Sequence, residues 1–575
     1  MTTPQPQDPA TSSSDPGAAD PTAAAAAPSA GPVADSTAPA APALSETATR
    51  VRDAYAFDGG RIHIGAMIED GEPNAAVAVN LPVAMLNRHG LIAGATGTGK
   101  TRTLQVIAEQ AAHAGAAVFV ADMKGDLSGI AVPGTASEKL TARAAARGQE
   151  WVSRAAPVEF YSLGGQGEGV PIRTTVSDFG PVLLSKVLDL NETQESSLGL
   201  IFHYADSKAL GLLDLKDLRA LIQFLTSDDG KPELQGIGGI STATAGVILR
   251  KLTAFEASGA DVFFGEPAFD TAQLLRTSAD GTGIISCLEL PGVASRPELF
   301  STFMMWMLAE LYQELPEVGD LEVPKLVFFF DEAHLLFKDA STAFLDQVVQ
   351  TVRLIRSKGV GIFFITKTPK DVPGDVLAQL GNRVQHALRA FTPADAKALK
   401  ATASTYPSSD LDLVEVIPAL GTGEAIVTVM SEDGAPTPVA VTAVRAPESL
   451  MDPAPEGVIA QTVAASPLNA QYATAVDRES AYEILQERAQ EEAAREEQEK
   501  AAAAGGASDD GRAAGGAATG RSGSGRGAQK PSRSSTAKED EGFLGNPAVK
   551  SFLRSAGTVL GREITRSLFG TRRRR

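Results

Sequence analysis

Between residues 50 and 450, short continuously apolar runs alternate with stretches whose apolar positions recur every three or four residues. The runs "HGLIAG", "AAVFVAD", "PKLVFFFDEAH" and "GVGIFFITK" read as buried strands. "KTRTLQVIAEQAAHAG" reads as a helix closed by Gly115. Strands apolar on both faces and alternating with helices predict an α/β body, a parallel sheet covered on both sides. "FDGGRIHIGAMI" and "NAAVAVNLPVAML" predict two further short strands at its start. Residues 180–315 are patterned mostly as helix and predict an inserted subdomain.

The ends have no such pattern. Residues 1–49 are rich in Ala, Pro, Ser and Thr, too poor in apolar side chains to offset the entropy of ordering, and are expected to be disordered. Residues 451–500 predict a helical extension whose apolar stripe is thin: Tyr472, Val476, Ile484 and Leu485. Its charges of both signs fit a solvated helix or a coiled-coil contact. Residues 501–540 form a Gly/Ser/Ala-rich linker, and 541–575 a basic amphipathic helix and tail. In that last segment Val549, Phe552, Leu553, Ala556, Leu560 and Ile564 share one face. Docking on the body, contact with an anionic membrane, or a grip on nucleic acid through Arg572–Arg575 are its three candidate roles.

The strand "HGLIAG" runs into Gly94-Ala95-Thr96-Gly97-Thr98-Gly99-Lys100-Thr101, the full P-loop pattern. Glycines permit a backbone path on which successive N–H groups converge on phosphate oxygens. The following helix points its positive end at the same anion. Lys100 is placed to reach the β- and γ-phosphates, Thr101 to ligate Mg²⁺, and Arg102 to line the nucleotide. The alternative is a glycine-rich turn that binds nothing. "LVFFFDEAHLLF" supplies a buried strand ending in Asp331-Glu332. Asp331 is positioned as a Mg²⁺ ligand and Glu332 as a base for the attacking water. Their other reading is an acidic cap on the next helix. No guanine-reading tetrapeptide follows a strand, so ATP is the expected nucleotide. Asp122, at the end of "AAVFVAD", is expected beside the P-loop strand, near the metal or simply capping a turn.

Composition narrows the setting. Of 575 residues, 43% are hydrophobic and 21% charged, ordinary for a globular enzyme. The net charge of −19 argues against a simple nucleic-acid coat. A local basic channel is still compatible with it. Residues 551–575 hold seven arginines against one glutamate. The single Cys287 excludes an intrachain disulfide framework and fits a reducing cytoplasm. No long apolar run and no secretory signal pattern are present, so a cytoplasmic location is expected. Six scattered histidines show no zinc-ligand spacing; His334 is placed to hydrogen-bond near Asp331-Glu332.

"GLIAGATGTGKT", "DMKGDLSG", "FFFDEAHLLF", "RLIRSKGVG" and "QLGNRVQHALRAFTPAD" together resemble the bacterial HerA-like ATPases, over about 50–450 and again at the end of the chain. The resemblance implies an ASCE-type, RecA-like P-loop core related to FtsK-type and VirB4-type motors. It implies ATP and Mg²⁺ as cofactors and a homohexameric ring that moves double-stranded DNA or another polymer. It also implies an arginine acting on a neighbour's nucleotide. Arg389 and Arg356 are the leading candidates, with Arg353 and Arg383 behind them. Two departures stand out. Lys367 occupies the position after "GIFFIT" where the family carries Gln, and an ammonium donates but cannot accept from water. Only about forty residues of folded pattern precede the P-loop, too few for the β-barrel of HerA itself. The expected function is a DNA-translocating or helicase-like ATPase. An ATP-dependent assembly switch or scaffold and a polypeptide-handling motor are the alternatives.

Overall fold

The computed structural model describes residues 44–234, 236–292, 297–337 and 342–506. One sheet of twelve strands organises them. In chain order these are β1 Arg61–Glu69, β2 Glu72–Pro82, β3 Gly90–Ala93, β4 Ala117–Asp122, β5 Val158–Leu163, β6 Val170–Ile172, β7 Ile285–Glu289, β8 Leu326–Phe330, β9 Val360–Thr366, β10 Asn382–Gln385, β11 Glu424–Thr428 and β12 Ala440–Val444. Their order across the sheet is β2-β1-β12-β11-β10-β3-β9-β8-β4-β7-β5-β6. From β10 to β6 all neighbours are parallel; from β10 to β2 all are antiparallel. The α/β, ASCE-type P-loop architecture expected from the sequence is present, with β9 inserted between the phosphate-loop strand β3 and the acidic strand β8.

The central parallel strands β3, β8 and β9 are almost wholly apolar because helices cover both of their faces. Every residue of β3, β4, β7, β8 and β9 is buried. Aromatic pairs lock the centre: Phe329 on Phe363 at 5.2 Å between centroids, and Phe119 on Phe328 at 5.1 Å. Such pairs add about 0.5–1.5 kcal/mol each beyond their burial. Register then aligns the strand tips. Ala93 pairs with Thr366, Phe330 with Phe364 and with Ala121, and Asp122 with Glu289. The residues that follow these tips therefore emerge along one edge.

Several boundaries differ from the pattern-based expectation. A helix spans Glu46–Ala54, starting within the last four residues of the segment expected to be disordered, because Ala48, Val51 and Tyr55 are buried. The Tyr55 hydroxyl stands 3.0 Å from the carbonyl oxygen of Val427 and 2.8 Å from that of Pro438. Residues 1–43 of that segment lie outside the described residues. Strand β7 falls within 180–315, and the helix Pro297–Glu314 packs Phe303 against Phe119 of β4. The helical insertion is therefore the narrower stretch between β6 and β7. Its main helices are Val176–Val187, Glu192–Ser207, Leu215–Thr226 and Thr242–Ala257. β1 and β2 pair as an antiparallel edge.

The extension forms helices at Val458–Ala465, Pro467–Tyr472 and Ala481–Gly506. It is docked rather than solvated along its thin stripe. Tyr472 is fully buried, with its carbonyl accepting from Arg173 at 3.0 Å, and Leu485 is buried. Ser480 bonds Asp217 of the insertion. Val476 stays half exposed. The last of these helices runs into the expected 501–540 linker as far as Gly506. The remainder of that linker and the basic segment 541–575 lie outside the described residues. Among those described, no helix is long and apolar enough to cross a membrane.

Candidate functional site

The phosphate loop is held from three strand tips. Gly94 N–H donates to Thr366 O at the end of β9 at 3.2 Å, and Ala95 N–H to Ala387 O beyond β10 at 2.8 Å. A Cβ on Gly94 would sit 2.5 Å from His386 Cβ, so only glycine fits where the loop crosses that residue. Gly99 has φ of 115° as it enters the helix Lys100–His113, a backbone state that strains any L side chain. Thr98 donates its hydroxyl to Ala95 O at 2.7 Å, and its own carbonyl accepts from Gly423 N–H at 3.0 Å. Lys100 Nζ donates to Ala95 O at 3.1 Å, within the loop. Thr96 and Gly97 form the exposed apex, and Thr101 and Arg102 are half-buried. Arg102 donates to Gln105 Oε1 at 3.1 Å, with Asp126 and Asp452 as its nearest opposing charges.

His386 braces the loop from beneath. Its Nδ1 faces Glu424 O at 2.8 Å, which can only accept, so Nε2 accepts from the Thr103 hydroxyl at 2.8 Å. Full burial, opposed only partly by the Glu424 carbonyl, pushes its pKa down to about 4. The ring is neutral.

The acidic half stands on β8. Asp331 is almost wholly buried, and burial, opposed by Lys124, pushes its pKa up to about 6. Glu332 has φ of 49°, a left-handed state that costs a non-glycine residue about 1–2 kcal/mol. Ala333 N–H, bonded to Ile365 O at 2.8 Å, holds that kink in place. The kink turns Glu332 towards two lysines and an imidazole. Lys124 Nζ pairs with its Oε1 and lies 3.7 Å from Asp331 Oδ2. Lys367 Nζ stands 3.6 Å from Glu332 Oε2, and His334 Nδ1 3.1 Å from it. Burial would raise the Glu332 carboxyl, but Lys124, then Lys367 and His334, outweigh it and hold it below the ordinary range.

Lys124 owes its place to Asp122. The Asp122 carboxylate accepts from the N–H groups of Lys124 at 3.0 Å, Gly125 at 2.8 Å and Leu127 at 2.8 Å. These bonds shape the turn after β4. Sequence order suggested that Asp122 lies beside the P-loop strand. It does not, since β9 and β8 intervene. It stands instead abreast of Asp331, and ligand atoms of Asp122, Asp126 and Asp331 all lie within 4.8 Å of one another. Asp331 Oδ2 and Asp126 Oδ1 are buried without a hydrogen-bond donor. Hard carboxylate oxygens that lack a hydrogen-bond donor suit a hydrated Mg²⁺.

The arginines separate. Arg389 is exposed, bonds the Pro418 carbonyl, and lines a cavity shared with Ala95, Thr96 and Lys367. Arg356 precedes β9, at the end of that strand remote from Thr366, and pairs with Asp320 at 3.3 Å. Arg353 is exposed on the helix Thr342–Leu354, and Arg383 bonds Thr405 Oγ1 at 2.7 Å. Neither Lys124 nor His386 was singled out from the sequence. The signal for Lys124 was its place two residues after a strand-end acid in "DMKGD". His386 gave none, because its role depends on β10 lying against β3.

The family model described as helicase HerA-like C-terminal matches residues 67–575. The chain is 31% identical over 124 residues to a probable helicase of Methanocaldococcus jannaschii, covering 21% of this chain and 22% of that protein. It is 33% identical over 108 residues to the DNA double-strand break repair helicase HerA of Sulfurisphaera tokodaii, covering 19% and 21%. These matches span about a fifth of each relative's length. Among solved structures, the plasmid coupling protein TrwB with a non-hydrolysable ATP analogue aligns at a TM-score of 0.48 and 14% identity, over 71% of this chain and 94% of that one. With its phosphate loop on β3, its paired acids on β8, and a family match over most of its length, the chain belongs to the helicase HerA-like C-terminal family of P-loop ATPases.

Proposed function

We propose that the protein is a Mg²⁺-dependent ATP hydrolase whose turnover drives a homohexameric ring along double-stranded DNA in the cytoplasm. The observation that carries the hydrolase is the convergence of Lys100, Asp331 and Glu332 along one sheet edge, with Lys124 and Lys367 on Glu332. Backbone N–H groups of Gly97–Thr101 cradle the phosphates, and Lys100 exchanges the Ala95 carbonyl for phosphate oxygen. Thr101 and Asp331 would hold Mg²⁺, which supplies charge neutralisation at the β- and γ-phosphates. Glu332, kept ionised by its cations, accepts a proton from water as that water's oxygen bonds the γ-phosphorus and the bond to ADP breaks. Arg389 lies on the same side as the nucleotide of its own chain. Arg356, on the far edge, is the better placed of the two to meet a neighbour's nucleotide in a ring.

Support for DNA as the polymer comes from the family, from the relative named as a DNA repair helicase, and from the arginine-rich end of the chain. The test is ATPase rate with and without duplex DNA at low and moderate salt, beside particle mass with a non-hydrolysable ATP analogue. Stimulation that weakens with salt supports the motor. Nucleotide-dependent assembly without stimulation supports the switch or scaffold, which Lys367 and the acidic balance of the chain favour. Stimulation by an unfolded polypeptide instead would point to a polypeptide-handling motor.

A further inference from the structure

A cavity of about 270 Å³ opens beside the apex of the phosphate loop, lined by Thr96, Lys367, Lys370, Arg389, Leu388 and Asp395. Three cations face one carboxylate there. Asp395 accepts from Thr392 N–H at 3.0 Å and Phe391 N–H at 3.3 Å and offsets one of the three charges, with Lys370 acting on it, so the lining stays net positive. Arg389 donates to the Pro418 carbonyl, a neutral partner that leaves its charge uncompensated. Such a lining selects a small multivalent anion. The volume holds one with several waters, each of which needs about 30 Å³.

Position says which anion. Lys367 reaches Glu332 at 3.6 Å and also lines this cavity, so the cavity adjoins the side from which water would attack. In an in-line displacement the attacking and leaving oxygens lie on opposite sides of phosphorus. The phosphoryl group therefore ends nearer the water's side, away from ADP. On the basis of the hydrolysis proposed above, we propose that the cavity receives inorganic phosphate after cleavage, with Lys370 and Arg389 as phosphate-binding residues and Lys367 at its entrance. ADP and phosphate are the products of ATP and water, the remaining proton leaving through Glu332. Lys370 belongs to neither nucleotide motif, so its charge serves the released product rather than the bound nucleotide.

The test titrates inorganic phosphate into the full chain loaded with ADP and Mg²⁺, with an ATP analogue and a DNA duplex titrated in parallel. The ADP-loaded parent is expected to bind phosphate. Lys370→Ala should weaken that binding about tenfold, the loss of one charge-assisted bond. Lys370→Arg should retain it, and affinity for the ATP analogue should be the same in all three. An ADP-loaded parent that takes up no phosphate, or a Lys370→Ala variant that binds it like the parent, overturns the proposal. So does a variant that loses duplex affinity but keeps phosphate, since the cavity would then serve a polymer backbone. A parent chain that binds neither ADP nor the ATP analogue defeats the hydrolase itself, a failure distinct from normal nucleotide affinity without phosphate uptake.

Discussion

Lys124 Nζ is paired with Glu332 Oε1 and stands 3.7 Å from Asp331 Oδ2, so one ammonium from outside both nucleotide motifs is shared by the two acids of one of them. The Lys124 side chain is 45% exposed while the two acids are almost wholly covered. Truncating it to Met leaves two adjacent buried carboxylates without their main counterion. Screening by solvent limits the cost to about 1 kcal/mol, below that of a fully buried pair. Mg²⁺ should raise the melting temperature of Lys124→Met more than that of the parent, because nothing then competes for Asp331. Equal Mg²⁺ shifts in the two proteins would show that the metal does not enter here.

Lys100 and Glu332 should fail differently. Lys100→Ala removes the charge that meets the phosphates and should abolish both analogue binding and turnover. Glu332→Gln keeps shape but cannot take a proton, so it should bind ATP and lose about 10²–10⁴-fold in rate. Fluorescent-analogue binding beside steady-state phosphate release separates the two. Normal turnover by Lys100→Ala would remove the phosphate loop from the chemistry.

Lys367 donates to whatever lies before it but cannot accept from water. Lys367→Gln should therefore hydrolyse ATP faster than the parent. A rate that stays the same or drops would mean that the ammonium is the better sensor in this site.

His386 couples pH to the loop. Its folded pKa of about 4 lies below the usual value of 6.5, so the unfolded chain binds the extra proton between these values. Its contribution is complete above pH 6.5 and is lost as pH falls towards 4, up to about 3 kcal/mol. Buried acids work in the opposite sense: burial pushes Glu289 and Glu310 to about 7, so they favour the folded state as pH falls. The whole-protein curve thus hides His386. The stability difference between the parent and His386→Gln isolates it and should shrink from pH 7 to pH 4.5 in urea melts. A constant difference would indicate that the ring is not held neutral.

Removing residues 545–575 takes away seven arginines. Duplex affinity should fall, and the slope of log affinity against log salt should flatten. If neither moves, the tail does not touch phosphate. Basal ATPase without DNA should persist, because the described nucleotide site lies wholly within the sheet edge.

The sequence by itself determined the α/β class, the phosphate loop and the acidic strand tip. In each, the chemistry lies in consecutive residues, and a loop that cradles phosphate or a strand ending in two acids is a local object. Tertiary structure decided which of these meet. Asp122 looked like a neighbour of the P-loop strand because β4 follows β3 in the chain. The sheet inserts β9 and β8 between them, and so sets Asp122 beside Asp331 and its turn residue Lys124 against Glu332. β7 escaped notice because "ISCLE" is five residues among helical patterns; it is a strand only because β4 and β5 flank it. The stripe on 451–500 looked solvated because the insertion that covers Tyr472 and Leu485 lies more than two hundred residues away. Strand order and long-range burial arise from how elements pack, and no local window of the chain carries that information.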